Sequence, residues 1–367
     1  MKIINVGMDY SIYDDSLKVF DALPPKTYAI NFSPMAGFSM SERPDLDINE
    51  KVYGVHEEKA QKVLHSFLGF ERNLGVILSG NKGIGKSMFA RILCKKAISK
   101  GIPVIVVDRF IPGIARYIES VEQEVLVLFD EFDKTFASIK TGENEADPQA
   151  GLLGLFDGVS SGKKLFVITC NNLNKLNDFL VNRPGRFHYH FRFDYPSEDQ
   201  IREYLKDKLD PMYYGEIENV IFFAKRVCLN FDCLRAIAFE LNNGESFKRA
   251  IEDLNIINVE ETRYNVTLRF EDGTELIHKR FGMNLSAESG RYEIEMFDHA
   301  NRNVLDIRFC TDDVQYNMQI GKLIVPTERT EITWWSDEKK EQMKDKKIAY
   351  LSFAICGEPS LRYAFLS

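Results

Sequence analysis

A short glycine-rich segment carries the clearest chemical signal in this 367-residue sequence. Residues 80–87 match the pattern GxxxxGK[ST], follow the apolar run 75–79 and precede a helix-like run, 88–97. Glycines at this spacing let backbone N–H groups converge on an anion at a helix N-terminus. In loops of this pattern the lysine, here Lys86, reaches phosphate oxygens and the hydroxyl, here Ser87, binds Mg²⁺. The predicted contact residues are Gly80, Asn81, Lys82, Gly83, Ile84, Gly85, Lys86, Ser87 and Met88.

Two acidic residues at the end of a second strand-like run indicate metal-assisted hydrolysis. Residues 125–129 are all apolar, which is typical of a strand buried on both faces of a parallel sheet. Asp130 follows at the carboxyl end of this strand, where open α/β sheets bind ligands, and we expect it to hold Mg²⁺. Glu131 is placed to orient or deprotonate an attacking water. The alternative is an acidic strand exit or helix cap without chemistry.

Amide and basic side chains accompany two further strand-like segments. Residues 164–170 form a third strand-like run, which ends in Asn171 and Asn172. An amide at the sheet edge where Asp130 also lies can hydrogen-bond the γ-phosphate or the attacking water without adding charge. Downstream, residues 182–187 form a basic turn, Asn-Arg-Pro-Gly-Arg-Phe, ahead of another strand-like run. Taken alone, these segments would be an ordinary asparagine turn and a surface loop.

Taken together, the segments resemble the core of an AAA ATPase, and more narrowly the clade with the second region of homology. The resemblance covers roughly residues 47–255. It implies ATP and Mg²⁺ as cofactors and a hexamer or similar ring, with ATP bound at subunit interfaces. It places Asn171 at the sensor-1 position. It also matches Arg183 and Arg186 to the two arginines that reach into a neighbour's site, one of them as the arginine finger.

The resemblance further assigns an adenine contact and a substrate-threading loop. Tyr53 and Gly54 match the segment that packs on adenine, and a helix-entry turn is the alternative for them. Phe110, three residues past the strand-like run 103–107, is the nearest match to a pore-loop aromatic, with core packing as an equal alternative. Residues 138–148 would be a second loop facing the pore or a solvated surface loop. The sequence thus indicates ATP hydrolysis more clearly than it indicates the threading of a substrate through a pore.

The order of strand-like and helix-like patterns predicts four parts. Between residues 55 and 193, five strands alternate with helices, which indicates a doubly wound sheet. Ser197 and Gln200 predict the capped start of a following helix. The predicted parts are an N-terminal segment packing on the core (1–50), an α/β P-loop core with a parallel sheet and helices on both faces (51–195), a small helical lid (196–255) and an all-β sandwich or barrel (260–367).

The C-terminal part changes period from helical to alternating. About eight short alternating runs follow residue 260, the pattern of a compact sandwich or barrel. They begin with a hairpin that turns at residues 271–273 and include single strands over 316–325 and 362–366. On an alternating strand, one of Trp334 and Trp335 should face the core and the other solvent.

Composition limits the classes of function. The chain has 47 basic and 55 acidic residues and a formal net charge of −8, so a broad basic face for duplex nucleic acid is not expected. No apolar run approaches the roughly 18 residues of a membrane span. Six scattered cysteines without a CxxC pair indicate neither a disulfide framework nor a zinc site. These features predict a cytoplasmic protein that does not act in a membrane.

We therefore expect an ATPase that converts ATP and water to ADP and phosphate. We expect it to form an oligomeric ring and to remodel a protein or protein assembly. The predicted catalytic residues are Glu131, Lys86, Asn171, Arg183 and Arg186, and the predicted metal ligands are Ser87 and Asp130. One alternative is a nucleotide-gated structural or assembly protein whose slow hydrolysis times a change of shape. A DNA-associated loader or initiator is the least expected function, because acidic residues outnumber basic residues in the chain.

Overall fold

A computed structural model describes residues 1–46, 48, 51–53, 56–136, 148–157, 162–181, 183–256, 262–285, 289–317, 319–344 and 346–356. The chain divides into two compact units, Met1–Phe193 and Asp194–Ser367, and each is described by itself. None of the helices in the described ranges combines the length and the apolar character that a bilayer span needs.

The first unit is built on a seven-stranded, mostly parallel sheet. Strands β1 (Lys2–Val6) and β2 (Asp9–Tyr13) form a separate hairpin. The sheet strands are β3 (Thr27–Ser33), β4 (Gly37–Arg43), β5 (Leu74–Ser79), β6 (Val104–Val107), β7 (Val125–Phe129), β8 (Lys164–Cys170) and β9 (Tyr189–Arg192). The helices are α1 (His56–Gly69), α2 (Lys86–Ser99), α3 (Ile114–Glu119), α4 (Phe132–Thr135) and α5 (Leu153–Phe156). The strand order is β4-β3-β6-β7-β8-β5-β9, and β4 is antiparallel to β3 while the other neighbouring pairs are parallel.

Long apolar runs explain the interior of this sheet. Every residue of β5, β6, β7 and β8 is buried. Because alternate residues of a strand point to opposite faces, Val127 and Phe129 join one core cluster whereas Leu126 and Leu128 join the other. A core on each face is the arrangement of a parallel sheet covered by helices. The predicted α/β P-loop core is therefore confirmed, with β5 to β9 as its five expected strands.

The N-terminal residues extend this sheet. The sequence predicts only a segment that packs on the core, whereas the structure places β3 beside β6 in parallel, with Thr27 opposite Val104. Tyr28 and Ile30 of β3 are buried, so the strand shares the core of the unit. Strand β4 then forms the edge of the sheet.

The second unit begins with four helices within the range predicted to be helical. These are α6 (Glu198–Lys208), α7 (Ile217–Ala224), α8 (Phe231–Asn242) and α9 (Phe247–Asp253). The Ser197 hydroxyl accepts the N–H of Gln200, whose side chain accepts the N–H of Ser197 in return, so the predicted capping box is present. The Asn230 side chain caps α8 in the same way by accepting the N–H of Cys233.

An eight-stranded antiparallel sheet, a half-barrel, makes up the rest of the unit. Its strands are β10 (Thr262–Phe270), β11 (Glu275–Met283), β12 (Arg291–Phe297), β13 (Asn303–Cys310), β14 (Gln315–Asn317), β15 (Lys322–Val325), β16 (Glu331–Trp334) and β17 (Ile348–Ile355), with α10 (Asp337–Gln342) after β16. Their order is β14-β15-β17-β10-β11-β12-β13-β16. The predicted β domain is confirmed. The single strand expected over 316–325 is two strands with a turn at Gly321 between them, and residues 362–366 lie outside the described residues.

Helix α7 is joined to the sheet of the same unit. Just past its end, the Lys225 amine donates to the Tyr316 hydroxyl at 2.8 Å. Arg226 Nη2 donates to the Leu285 carbonyl oxygen at 2.8 Å, and the Tyr264 hydroxyl donates to the Arg226 carbonyl oxygen at 3.1 Å. The helices and the β sheet of this unit are thus linked through both side-chain and backbone groups.

Candidate nucleotide site

The predicted phosphate loop connects β5 to α2, and its glycines have left-handed φ angles, which are largest at Gly80 and Gly85. Gly80 has a φ of +139° and Gly85 a φ of +102°, in a region that L side chains rarely adopt. A Cβ at Gly80 would also lie 2.3 Å from the Phe193 carbonyl oxygen, which is a clash. Helix α2 begins at Lys86, directly after the loop. This is the strand, loop and helix arrangement that binds phosphate through backbone N–H groups.

The Lys86 side chain folds back over the loop. Its ammonium group donates to the carbonyl oxygens of Gly80 at 2.7 Å and Asn81 at 2.5 Å. Burial lowers the pKa of Lys86, and the nearby Cys170 and the carboxylates of Asp133, Asp130 and Glu131 act against that shift. The structure therefore brings Lys86 and the acidic end of β7 into one electrostatic neighbourhood.

The remaining predicted loop residues differ in exposure. Asn81, Lys82 and Ser87 are exposed, Gly83 and Met88 are half-buried, and the Ile84 side chain is buried. The Ser87 hydroxyl in the first turn of α2 is thus open to a ligand, while Ile84 anchors the loop in the protein.

Asp130 and Glu131 follow β7 and are held by a hydroxyl from the neighbouring strand β8. Thr169 Oγ1 donates to Asp130 Oδ1 at 2.6 Å and accepts the Glu131 N–H at 2.8 Å. Glu131 has a φ of +47°, a left-handed conformation that costs free energy in a non-glycine residue. The chain therefore turns sharply at Glu131. The Glu131 side chain, at the edge of the sheet, is exposed to solvent.

The Glu131 carboxylate is hydrogen-bonded to two side chains. Lys134, one turn along α4, forms an ion pair with it, and the Asn171 side chain also hydrogen-bonds to it. The hydrogen bond from Lys134 lowers the pKa of Glu131, with smaller contributions from the charges of Lys134 and Lys82 and from Asn171. These contacts favour the ionised carboxylate, which is the state that a general base requires.

Asp133 supports the turn that carries the two asparagines. It is 2% exposed, and its Oδ2 accepts the backbone N–H of Asn172 at 3.1 Å. The Asn172 side chain caps the next turn by accepting the N–H of Asn174. Of the two adjacent amides, Asn171 is thus the one directed to Glu131.

The two predicted arginines have different environments. Arg186 Nη2 donates to Asp157 Oδ2 at 2.6 Å, its Nε pairs with the other oxygen of Asp157, and its Nη1 donates to the Phe179 carbonyl oxygen at 2.9 Å. Arg183 is exposed, with its guanidinium 5.5 Å from the centre of the Phe179 ring. Arg186 is therefore engaged within its own chain, and Arg183 is presented to solvent.

Comparison with known protein families agrees with this geometry. Residues 76–195 match the model of the ATPase family associated with various cellular activities (AAA). This segment is an AAA ATPase domain. It includes the phosphate loop, the acidic end of β7, the asparagine turn and both arginines.

Several curated proteins resemble the chain over stretches longer than the segment matched by the family model. A proteasome-activating nucleotidase of Methanothermobacter thermautotrophicus is 24% identical over 250 residues, which cover 61% of this chain and 60% of the relative. The proteasome-activating nucleotidase of Methanopyrus kandleri is 25% identical over 311 residues, covering 78% and 67%. An AAA ATPase forming ring-shaped complexes from Corynebacterium kroppenstedtii is 30% identical over 174 residues, covering 39% and 30%. The chain thus spans 60% of the length of the first of these relatives.

The donor set of the AAA domain suits a magnesium ion that arrives with a nucleotide. No group of three or more His, Cys, Asp and Glu residues that could hold a metal ion occurs among the described residues. Nucleotide-bound Mg²⁺ takes only one or two protein oxygens because phosphates and water supply the others. Ser87 and Asp130 offer a hydroxyl and a carboxylate at the same edge of the sheet, which matches this need.

The predicted adenine segment lies partly outside the described residues. Tyr53 is 8% exposed, and the Lys51 ammonium lies 5.2 Å from the centre of its ring. Gly54 is not among the described residues. His56, at the start of α1, lies next to the phosphate loop, with its Nε2 3.0 Å from the position of a Cβ on Gly85. Burial lowers the pKa of His56, so the ring is neutral near pH 7.

The predicted pore-loop aromatic packs on the core of the AAA domain. Phe110 is half-buried, and its ring meets the edge of Phe136 at 5.8 Å between centres. Ile111 beside it is buried, and α3 starts after Gly113. The other predicted pore loop, residues 138–148, lies outside the described residues except for Pro148.

Three residues at this site were missed by the sequence analysis. Thr169 is the hydroxyl residue of the strand-like run 164–170, and a hydroxyl in an apolar strand is a signal for a buried polar contact. Asp133 follows Asp130 and Glu131 in the same acidic segment. Asp157 gives no such signal, because its partner Arg186 is far along the chain.

Proposed function

We propose that the protein is an ATP-hydrolysing AAA motor that works as an oligomeric ring and remodels a protein or protein assembly. The observation that carries this proposal is the convergence of Lys86, Asp130, Glu131 and Asn171 at one edge of the parallel sheet. A binding loop alone would serve nucleotide storage. The Glu131 carboxylate beside the loop, hydrogen-bonded by Asn171, adds the proton acceptor that hydrolysis needs.

The residues divide the work of hydrolysis among themselves. The loop N–H groups and Lys86 bind the phosphates, for which the ammonium leaves the carbonyl oxygens of Gly80 and Asn81. Mg²⁺, held by Ser87 and Asp130, would neutralise phosphate charge. Glu131 accepts a proton from the attacking water, and the Asn171 amide hydrogen-bonds Glu131 and keeps it in position.

We assign the arginine finger to Arg183. The relatives named as AAA ATPases forming ring-shaped complexes support a ring. We propose that in this ring one subunit completes the site of the next. Arg183 is exposed and can reach a neighbouring subunit, whereas Arg186 holds the same turn through Asp157. An arginine finger contributes about 10³–10⁵-fold to the rate, so Arg183→Ala should lower kcat by about 10³-fold.

Mixing two inactive variants tests the shared site. Subunits with Arg183→Ala keep an intact phosphate loop, and subunits with Lys86→Ala keep an intact arginine. In a mixed ring some interfaces therefore contain both groups, and we expect part of the ATPase activity to return. Mixtures that stay as inactive as the separate variants would mean that Arg183 acts within its own chain.

The main test is Glu131→Gln, which removes the base and keeps the shape. We expect ATP binding to persist, hydrolysis to fall by at least about 10²-fold, and light scattering in ATP to give a ring near six subunits. The exposed Glu57→Gln on α1 is the matched control and should hydrolyse ATP like the wild type. Hydrolysis by Glu131→Gln at the wild-type rate would refute the active site. A monomer with and without ATP would refute the ring.

A second candidate is a nucleotide-gated assembly protein whose slow hydrolysis times a change of shape. The packing of Phe110 against Phe136 favours it, since a threading aromatic must reach a substrate. Phe110→Ala separates the two functions. A threading motor should keep its ATPase activity and lose its remodelling work, whereas an assembly protein should keep its ATPase activity and its assembly unchanged. The six free cysteines are compatible with a reducing compartment such as the cytoplasm for either function.

A further inference from the structure

We propose that Thr169 is a positioning residue that fixes the proposed metal-holding carboxylate, Asp130, relative to the proposed base, Glu131. The proposal rests on the hydrolytic function argued above. It adds a residue on β8 to a site whose acidic groups both follow β7.

The roles of the Thr169 hydroxyl are settled by its two partners. A hydroxyl carries one hydrogen to donate and lone pairs to accept. The Glu131 N–H can only donate, so Thr169 Oγ1 accepts it at 2.8 Å. The hydroxyl hydrogen therefore goes to Asp130 Oδ1, at 2.6 Å. One buried oxygen atom, on a residue that is 2% exposed, thus connects both acidic residues.

Each of these hydrogen bonds controls one group of the site. The bond to Oδ1 fixes the rotation of the Asp130 carboxylate, and so fixes the direction in which Oδ2 points. Hydrogen bonds to a charged acceptor are short and strong, which makes this an effective way to orient a ligand. The bond from the Glu131 N–H holds the backbone in its left-handed conformation, at a φ of +47°, and so aims the Glu131 side chain.

The surroundings of Thr169 show why a hydroxyl is needed there. Its strand β8 is buried throughout and lies between β7 and β5. Thr169 is therefore placed between the acidic end of β7 and the phosphate loop after β5. Valine has the same branched shape and suits a buried strand equally well. Among the described residues, the hydroxyl contributes hydrogen bonds to Asp130 and Glu131, which valine could not make.

Thr169→Val and Thr169→Ser separate hydrogen bonding from packing. Valine keeps the volume without the hydroxyl, and serine keeps the hydroxyl without the methyl group. Binding of a fluorescent ATP analogue is titrated with Mg²⁺ in a Glu131→Gln background, and once more in EDTA. Steady-state kcat and KM are then measured without the Glu131→Gln change.

We expect Thr169→Val to raise the Mg²⁺ concentration for half-saturation by about 10-fold and to lower kcat by about 10–100-fold, the usual effect of removing a partner of a metal ligand. Binding in EDTA and KM should change little, because the phosphate loop is untouched. Thr169→Ser should stay close to the wild type in all four quantities. Thr135→Val is the matched control, since its hydroxyl reaches only the backbone oxygen of Asp130, at 3.4 Å, and it should leave the Mg²⁺ titration unchanged.

Three outcomes would overturn the inference. The first is a Mg²⁺ titration of Thr169→Val equal to that of the wild type, and the second is an equal loss in Thr169→Val and Thr169→Ser. The third is wild-type binding that does not respond to Mg²⁺. If Thr169→Val does not fold, Thr169→Ala and Thr169→Ser repeat the comparison, and equal titrations in these two variants overturn the inference.

The binding readout also separates this inference from the proposed function. A wild-type protein that binds ATP with Mg²⁺ but does not hydrolyse it refutes the proposed function. The Mg²⁺ titrations of the Thr169 variants still decide the role of Thr169 in that case.

Discussion

The two sheets of the molecule use their faces in opposite ways. In the first unit, β5 to β8 are buried along their whole length, with core clusters on both faces. In the second unit, β10 and β12 alternate between buried and exposed residues, with one core cluster. The parallel sheet can therefore present chemistry only where its strands end, whereas β10 and β12 of the antiparallel sheet also present residues to solvent along their length.

This difference explains where the polar residues of each unit are found. In the AAA domain, the residues proposed to act on ATP stand in the loops and turns that follow β5, β7 and β8. In the antiparallel sheet, charged pairs such as Arg269 with Glu275 lie across neighbouring strands on the outer side. Substitutions in the interior of the parallel sheet should thus lower the free energy of unfolding most. Substitutions on the outer face of the antiparallel sheet should lower it least.

The largest expected loss of stability follows from a substitution that leaves a cavity in the interior of the parallel sheet. Phe166 on β8 is fully buried, and its ring meets that of Phe156 at 4.9 Å. We expect Phe166→Ala to lower the free energy of unfolding by about 3–5 kcal/mol, the usual cost of a large buried cavity. Chemical denaturation followed by far-ultraviolet circular dichroism measures it. A loss under about 1 kcal/mol would contradict the two-sided core.

A smaller loss is expected in the one-sided core of the antiparallel sheet. Leu268 on β10 is fully buried between β11 and β17. Leu268→Ala should cost about 2–3 kcal/mol, the lower part of the range for buried leucine. Both tryptophans, Trp334 and Trp335, lie in this unit, so their fluorescence follows its unfolding selectively. A loss larger than that of Phe166→Ala would reverse the comparison.

A pH profile tests the end of β7, where the parallel sheet presents its chemistry. The ion pair with Lys134 lowers the pKa of Glu131, and a general base is active only when it is deprotonated. Activity is therefore lost as the pH falls through that lowered pKa. Lys134→Met should raise the pKa toward its ordinary value and move the acidic limb of kcat to higher pH. An acidic limb that stays in place would mean that Glu131 is not the titrating group.

The smallest effect is expected on the outer face of the antiparallel sheet. Arg269 and Glu275 are directly opposite each other on β10 and β11 and are partly exposed. Glu275→Gln should cost at most about 1 kcal/mol, because exposed ion pairs contribute little. Tryptophan fluorescence during denaturation measures the loss, which 1 M salt should reduce further. A loss equal to that of Leu268→Ala would show that this face is not solvated.

The sequence predicted the individual helices and strands better than it predicted which strands pair in the sheet. The apolar runs of β5 to β8 and the capping box at Ser197 are local patterns, and both were confirmed. The place of β3 in the sheet was not predicted, because pairing with β6 depends on residues far apart in the sequence. The split between β14 and β15 could have been found, since Gly321 interrupts the run and adopts a φ of +64°. Trp334 packs on the core and Trp335 is 63% exposed, as alternation predicted.

Residues of the candidate site were predictable where a single contiguous segment contains the whole motif. The phosphate loop and the acidic pair are contiguous motifs, and their residues lie at the expected edge of the sheet. Thr169 and Asp157 were missed because their roles come from contacts between separate segments. The sequence could not distinguish Arg183 from Arg186 for the same reason. The ion pair of Arg186 with Asp157 and the greater exposure of Arg183 separate them, and the ion pair joins residues 157 and 186 across a strand.

The strand order has a consequence for how the first unit forms during synthesis. Strand β3 pairs with β6, and the partners Thr27 and Val104 are far apart in the sequence. Strand β3 is therefore synthesised long before its neighbour β6. Strand β5 likewise waits for β8, because Leu74 pairs with Leu165. The sheet therefore cannot close in the order in which it is translated, and β3 and β4 would first exist as an isolated hairpin. Contacts of such long sequence separation slow folding, so we expect the sheet of the nascent first unit to remain open until β8 has been made, after which β9 adds to its edge.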